Sequence, residues 1–275
     1  MTATASFRID TPAGSREVSA VHERHGSGEP VVLLHGIGHH LQAWEPVTGI
    51  LAAERDVVAV DLPGFGASPP CRTASPTTCR PSPGPWASSA RRWGWTARTW
   101  WATPWAACSP WNWAARDWRA RSRPSRHGFW SEGERRYAFG TLRAMRQAAL
   151  AMPLPVVERA ARTAAGRAAL TSTIYARPAR RPAAAVVAET LALRDCTGFE
   201  PTLAASRDAL FTHDVPDVPV TVAWGSRDRI LLRRQGVRAK QVIPKARLIR
   251  LPGCGHVPMN DDPALVARVI LDATR

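Results

Sequence analysis

A chain of 275 residues with 45% hydrophobic side chains suits one large domain, or a domain with an inserted lid, and is too apolar for wholesale disorder. No apolar run approaches the roughly 20 residues of a membrane span, and the N-terminus lacks a basic stretch leading into an apolar core, so neither a span nor a signal peptide is expected. Lys and Arg number 37 against 22 Asp and Glu, a net charge of +15 that in general points to nucleic acid or anionic membrane. Only Lys240 and Lys245 are lysines, however, an arginine bias more in keeping with GC-rich codons than with a phosphate-binding surface. The five cysteines are irregularly spaced, without a C-x-x-C pair. That argues against a disulfide framework or a zinc site and fits a cytoplasmic protein.

In chain order, residues 5–24 alternate weakly around Pro12-Ala13-Gly14 and predict an antiparallel hairpin. Residues 30–38 are a short apolar run ending in glycines, the pattern of a buried parallel strand followed by a sharp loop, and residues 56–68 repeat it. Residues 132–212 read as helices rich in Ala, Arg and Leu, punctuated by Pro153, Pro155, Pro178 and Pro182. Residues 218–225 and 246–252 predict two more buried strands. Residues 262–272 predict a closing helix with Pro263 in its first turn. There is no internal repeat.

Residues 71–127 stand apart. These 57 residues hold nine of the twelve tryptophans, three of the five cysteines, ten arginines and one acid, Asp117. They contain no Leu, Ile, Val, Met, Phe or Tyr. Without a branched aliphatic residue the window is not expected to supply a buried parallel strand or an ordinary amphipathic helix. A Pro/Ser/Arg linker would lack the tryptophans. A basic, tryptophan-interleaved RNA-binding arm would use both, the rings stacking on bases and the guanidinium groups neutralising phosphate.

The flanking motifs resemble the α/β-hydrolase family over about 30–68 and 128–275. His35-Gly36-Ile37-Gly38 matches the family's HGxG turn, Asp61 to Ser68 its D-x-P-G-x-G-x-S loop, Gly225-Ser-Arg-Asp228 its late acid turn, and Gly253-Cys-Gly-His256 its histidine turn. Four such motifs in order, each at the end of a predicted strand, are a far more specific signal than any one alone. The resemblance implies an α/β protein with a mostly parallel eight-stranded sheet. Its core would be 1–131 and 213–275, and 132–212 its helical lid. It further implies His256 as general base and then acid, Asp228 as the group orienting it, and the Ile37 N–H as an oxyanion donor. No role is expected for His39, His40, His127 or His213. Cys254 lacks a base of its own and is not expected to be a nucleophile.

The family also needs G-x-S-x-G, a strained strand-to-helix elbow presenting the nucleophile, and no such pentapeptide exists in the chain. Ser27 precedes the first buried strand and Ser68 precedes two prolines, so neither fits. The elbow belongs inside the tryptophan-rich window, and the genetic code offers a test there. Reading from the third base of each codon, Trp100 to Ala107 becomes V-G-[NDHY]-[SPTA]-[LMV]-G-[GSRC], which admits V-G-N-S-M-G-G. The same shift puts Leu, Met or Val at two positions between Arg91 and Thr99, and turns Ala107 to Trp113 into [LMV]-[LF]-[SPTA]-[LMV]-E-L, a helix-like run. The aliphatic residues missing as written reappear, and the written frame returns near His127. We read 71–127 as one base out of register, which leaves the central strand region corrupted. RNA binding accounts for the charge and the tryptophans but not for this glycine spacing.

The resulting expectation is a hydrolase of ester, thioester or carbon–carbon-bonded small-molecule substrates acting through a Ser-Asp-His triad, without cofactor, metal, nucleic acid or membrane partner. Its nucleophile is absent as written. NCC cannot encode Asp, so a dehalogenase-type aspartate at the elbow is excluded. The rival readings are a catalytically dead binding protein of the same fold and, behind it, a basic RNA-binding protein.

Overall fold

The valine-rich runs of the N-terminal half form the centre of a five-stranded sheet. The computed structural model describes residues 2–11, 14–70, 99–102, 131–206 and 219–274. Strands β1 (Thr2–Thr11) and β2 (Gly14–Gly26) make the expected antiparallel hairpin. β2 also pairs antiparallel with β4 (Asp56–Val60), and β3 (Pro30–Leu34) lies parallel to β4 on one side and to β5 (Thr99–Ala102) on the other. The spatial order is β1-β2-β4-β3-β5. Val31 to Leu34 and Val57 to Val60 are at most 3% exposed, which is why both runs are apolar on successive residues instead of alternating. The crossover from β3 to β4 is a 3-10 turn, Leu41–Trp44, and helix α1 (Glu45–Ala52), which together bury Trp44, Val47 and Leu51.

β5 corrects the expectation that the tryptophan-rich window holds no strand. Thr99 to Ala102 pair with Val31 to Leu34 in parallel register, Trp101 opposite Leu33. Thr and Trp are strand-forming residues in their own right, and a ladder is made of backbone N–H and C=O groups, so it does not require branched aliphatics. The rest of the window, 71–98 and 103–127, lies outside the described residues, as do His127 and His213.

The chain divides into two units, one of residues 1–123, 196–218 and Thr274, the other of residues 124–195, 219–273 and Arg275. In the second unit, helix α2 (Glu132–Ala151) starts at a capping box. The Ser131 hydroxyl accepts from the Glu134 N–H, and the Glu134 carboxylate accepts from the Ser131 N–H at 2.8 Å. Ala138, Phe139, Leu142 and Ala149 form its buried face. Helices α3 (Leu154–Ala161), α4 (Ala164–Thr171) and α5 (Ala183–Asp195) follow, separated by the prolines and turn residues that mark their ends in the sequence. Helix α6 (Phe199–Ser206) belongs to the first unit.

The second unit then builds a β-α-β element. β6 (Thr221–Gly225) and β7 (Arg247–Leu251) are parallel, in register from Thr221 opposite Arg247 to Gly225 opposite Leu251, with α7 (Arg233–Val242) between them in sequence. Helices α8 (Pro258–Asp261) and α9 (Pro263–Ala273) close the chain, α9 starting at Pro263 as expected. β7 is less buried than predicted, with Arg247, Leu248 and Arg250 exposed and only Leu251 buried. Its two arginines keep their charged ends in water, and β6 is its one strand neighbour among the described residues. Against the expected single, mostly parallel eight-stranded sheet, the described residues hold seven strands in two sheets, one of five and one of two, and three of the five pairings are parallel.

Candidate active site

Because β6 and β7 run in parallel and in register, their C-terminal ends at Gly225 and Leu251 lie side by side, and the loops that follow emerge together. Those loops carry Asp228 and His256. The His256 Nδ1 lies 3.0 Å from Asp228 Oδ2, with both side chains at most a tenth exposed. Asp228 Oδ1 accepts from the backbone N–H groups of Ile230 and Leu231, each at 2.8 Å. Those two bonds use Asp228 as an acceptor. An Nδ1–H donor on His256 fits such an acceptor, and in a neutral ring that leaves the lone pair on Nε2, the tautomer a general base requires.

The two turns are laced together by hydrogen bonds from backbone N–H groups. Arg227 N–H donates to the Cys254 oxygen at 2.8 Å, Gly253 N–H to Ser226 Oγ at 2.9 Å and Ser226 N–H to the Leu251 oxygen at 3.0 Å. Glycine at 255 is a steric requirement, since a Cβ there would sit 2.6 Å from the Ile174 oxygen and 2.8 Å from Ala176 N. Cys254 is buried and its thiol is pushed up to about 11, by burial first and then by the nearby Asp261 and Asp262 carboxylates, which suits a structural rather than a nucleophilic cysteine. Sequence reasoning missed Asp261. Its carboxylate is fully buried and accepts backbone N–H groups from Ala176 (3.0 Å), Arg177 (2.6 Å) and Gly255 (2.7 Å). In the sequence it reads as a helix-start acid, as its neighbour Asp262 is in fact, accepting from Leu265 N–H at 3.0 Å.

Ile37 belongs to the first unit, half-buried in the turn after β3. The chemistry of that turn is structural. His35 is fully buried, and its Nε2 accepts from the Leu62 N–H at 3.0 Å while its Nδ1 donates to the Gly36 oxygen at 2.7 Å. Burial pushes its pKa down to about 4, so the ring is neutral and its 3.8 Å approach to Asp61 is not an ion pair. Asp61, raised above the usual carboxylate range chiefly by burial, accepts from the N–H groups of Leu41 (2.7 Å) and Ala67 (2.8 Å). Ser68 donates to the Asp61 oxygen at 2.7 Å and accepts from Val21 N–H at 2.8 Å. The signature loop after β4 is thus a brace holding the HGxG turn. His39 and His40 stack at 5.6 Å, both largely buried. Among the described residues no group of three or more His, Cys, Asp or Glu could hold a metal ion, and no helix is long and apolar enough to cross a membrane.

This arrangement of strands and turns is the α/β-hydrolase fold. The chain matches a thermophilic esterase from Thermogutta terrifontis with a TM-score of 0.61 at 19% identity, covering 98% of this chain and 100% of that one. It matches an epoxide hydrolase from Bacillus megaterium with a TM-score of 0.64 at 16% identity, covering 97% and 99%. In sequence it is 45% identical over 47 residues to the pimeloyl-[acyl-carrier protein] methyl ester esterase of Legionella pneumophila (strain Lens), 17% of this chain and about a fifth (20%) of the relative's length. No family model matches the chain.

Proposed function

We propose that the chain derives from a hydrolase that cleaves an ester-type small-molecule substrate through a serine nucleophile, with His256 as base, Asp228 as its orienting acid and the Ile37 N–H as an oxyanion donor. The carrying observation is the 3.0 Å contact of His256 Nδ1 with an Asp228 carboxylate already held by two backbone N–H groups. That tautomer lets Nε2 take a proton from a nucleophile and return it to the leaving group, while Asp228 stabilises the imidazolium between the two steps. The names of the esterases similar to this chain support the substrate class. In this reading residues 132–212, which include helices α2 to α6, supply a lid over such a substrate, and the lid ends before β6.

The nucleophile is the missing part. β5 ends at Ala102, paired with Leu34 at the end of the sheet where the HGxG turn leaves β3. The shifted reading places its G-x-S-x-G with the serine codon spanning Thr103 and Pro104, directly after that strand. A strand followed at once by an elbow is the context the motif needs. The nucleotide sequence over codons 68–130 tests this. Read one base out of frame it should be open and should contain G-x-S-x-G; a stop codon, or Pro, Thr or Ala at the serine position, removes the argument. The lack of any elbow serine as written favours one second reading, a non-catalytic binding protein of the same fold. That reading expects small-molecule binding without turnover even after the frame is restored.

A further inference from the structure

We infer that Asp261 is a positioning residue for His256, an assignment that rests on reading His256 as the base. A carboxylate with no exposed surface is costly unless its lone pairs are filled by strong donors. Here Oδ2 accepts from both Ala176 and Gly255, and Oδ1 accepts from Arg177. Gly255 is the residue immediately before His256. The His256 N–H in turn donates to the Ile174 oxygen at 2.8 Å, in the same segment whose next residues Asp261 holds. The backbone that bears the imidazole is therefore tied on both sides of its peptide unit to residues 174–177, with one carboxylate closing the ring of contacts. Gly255 lets the two segments approach closely enough for this, since any Cβ there would meet the Ile174 oxygen. Arg177 and Arg180 reinforce the arrangement by donating to the Asp261 backbone oxygen at 2.9 and 3.0 Å. Asp228 orients the ring, and Asp261 fixes the main chain from which the ring hangs.

An amide cannot replace this carboxylate. Asn has one acceptor oxygen, so it fills either the Arg177 side or the Ala176 and Gly255 side. Its NH2 group then confronts the N–H groups on the other side. A purely structural acid would lower stability on substitution without altering the His256 ring, and this difference is measurable on the chain as it stands. In nitrogen-15 and proton NMR, the His256 Nδ1–H held by Asp228 should give a downfield, slowly exchanging resonance. Asp261→Asn should lose that resonance to solvent exchange while the remaining amide spectrum stays folded. Glu134→Gln, which weakens the ion pairs of a buried carboxylate with Arg234 and Arg238 elsewhere in the same unit, should keep it. A folded Asp261→Asn variant with the resonance unchanged overturns the assignment. In the unmodified chain, the amide protons of Ala176, Arg177 and Gly255 should exchange through the same opening that frees the His256 Nδ1–H. Unrelated opening free energies overturn the assignment even if Asp261→Asn fails to fold. None of these readings depends on turnover, so the hydrolase proposal and this one can fail separately.

Discussion

His35 and His256, in the first and last of the four motifs, sit in opposite surroundings, one ring fully buried and the other paired with Asp228. The His35 ring is fully buried, accepts from Leu62 N–H and has its pKa pushed down to about 4 by burial, so it is neutral near pH 7. Its folded pKa lies below the ordinary 6.5, so the unfolded chain binds the proton first. The stability due to neutral His35 is present above pH 6.5 and is lost as the pH falls toward 4, by up to roughly 3 kcal/mol. Urea titrations at pH 7 and pH 4.5 should show that loss, and His35→Gln should shrink it; an equal loss in the variant would assign the effect elsewhere. Asp61 works in the opposite sense, its raised pKa favouring the fold at low pH. The pairing of Asp228 with His256 was legible in the sequence because both follow predicted strands at motif spacing. Asp261 was not, because its three partners are backbone N–H groups, which any residue supplies, and two of them come from a segment some 85 positions away.

At the scale of elements, Glu134 joins two helices. It belongs to the capping box of α2 and also forms ion pairs with Arg234 and Arg238 of α7. Burial alone would raise its pKa, but Arg238, the Ser131 N–H and Arg234 together bring it down to about 2. A folded pKa below the ordinary 4.5 means that this contact stabilises the fold above pH 4.5 and is lost as the pH falls toward 2. Glu134→Ala should cost about 2 kcal/mol near neutral pH, combining a lost cap with an unpaired cluster, read from the denaturant midpoint. A cost below about 0.5 kcal/mol would show the cluster to be a solvated surface pair. The capping residues of α2 and Pro263 of α9 show that helix starts leave clear marks in sequence. Strand burial leaves weaker ones. Residues 246–252 look as apolar as a core strand, yet Arg247 and Arg250 hold much of β7 at the surface. β5 was missed because the window's lack of branched aliphatic residues outweighed the strand preference of Thr99, Trp100 and Trp101.

For the whole molecule, the α/β-hydrolase fold is present in the chain as written, whereas the proposed hydrolysis needs residues 71–127 read in another frame. The sheet order, the braced HGxG turn and the Asp228–His256 pair are built from segments outside that window, except for β5. Replacing residues 71–127 by the shifted-frame translation restores aliphatic residues beside β3, so thermal unfolding of the replaced chain should occur at a higher temperature than that of the chain as written. An unchanged or lower midpoint would mean that the written window already packs as well as the core allows. Within the replaced chain, Asp228→Asn should lower turnover by roughly ten-thousand-fold by disturbing the histidine tautomer, with KM nearly unchanged. The proposed serine hydrolysis is tested by the turnover of short p-nitrophenyl esters by three proteins, namely the chain as written, the replaced chain and the replaced chain with His256→Ala. The first should show no burst and almost no turnover, the second on the order of a million-fold more, and the third loss of that activity. Ordinary enzymatic turnover by the chain as written, abolished by His256→Ala, would show that a nucleophile is already present and would overturn the shifted-frame reading.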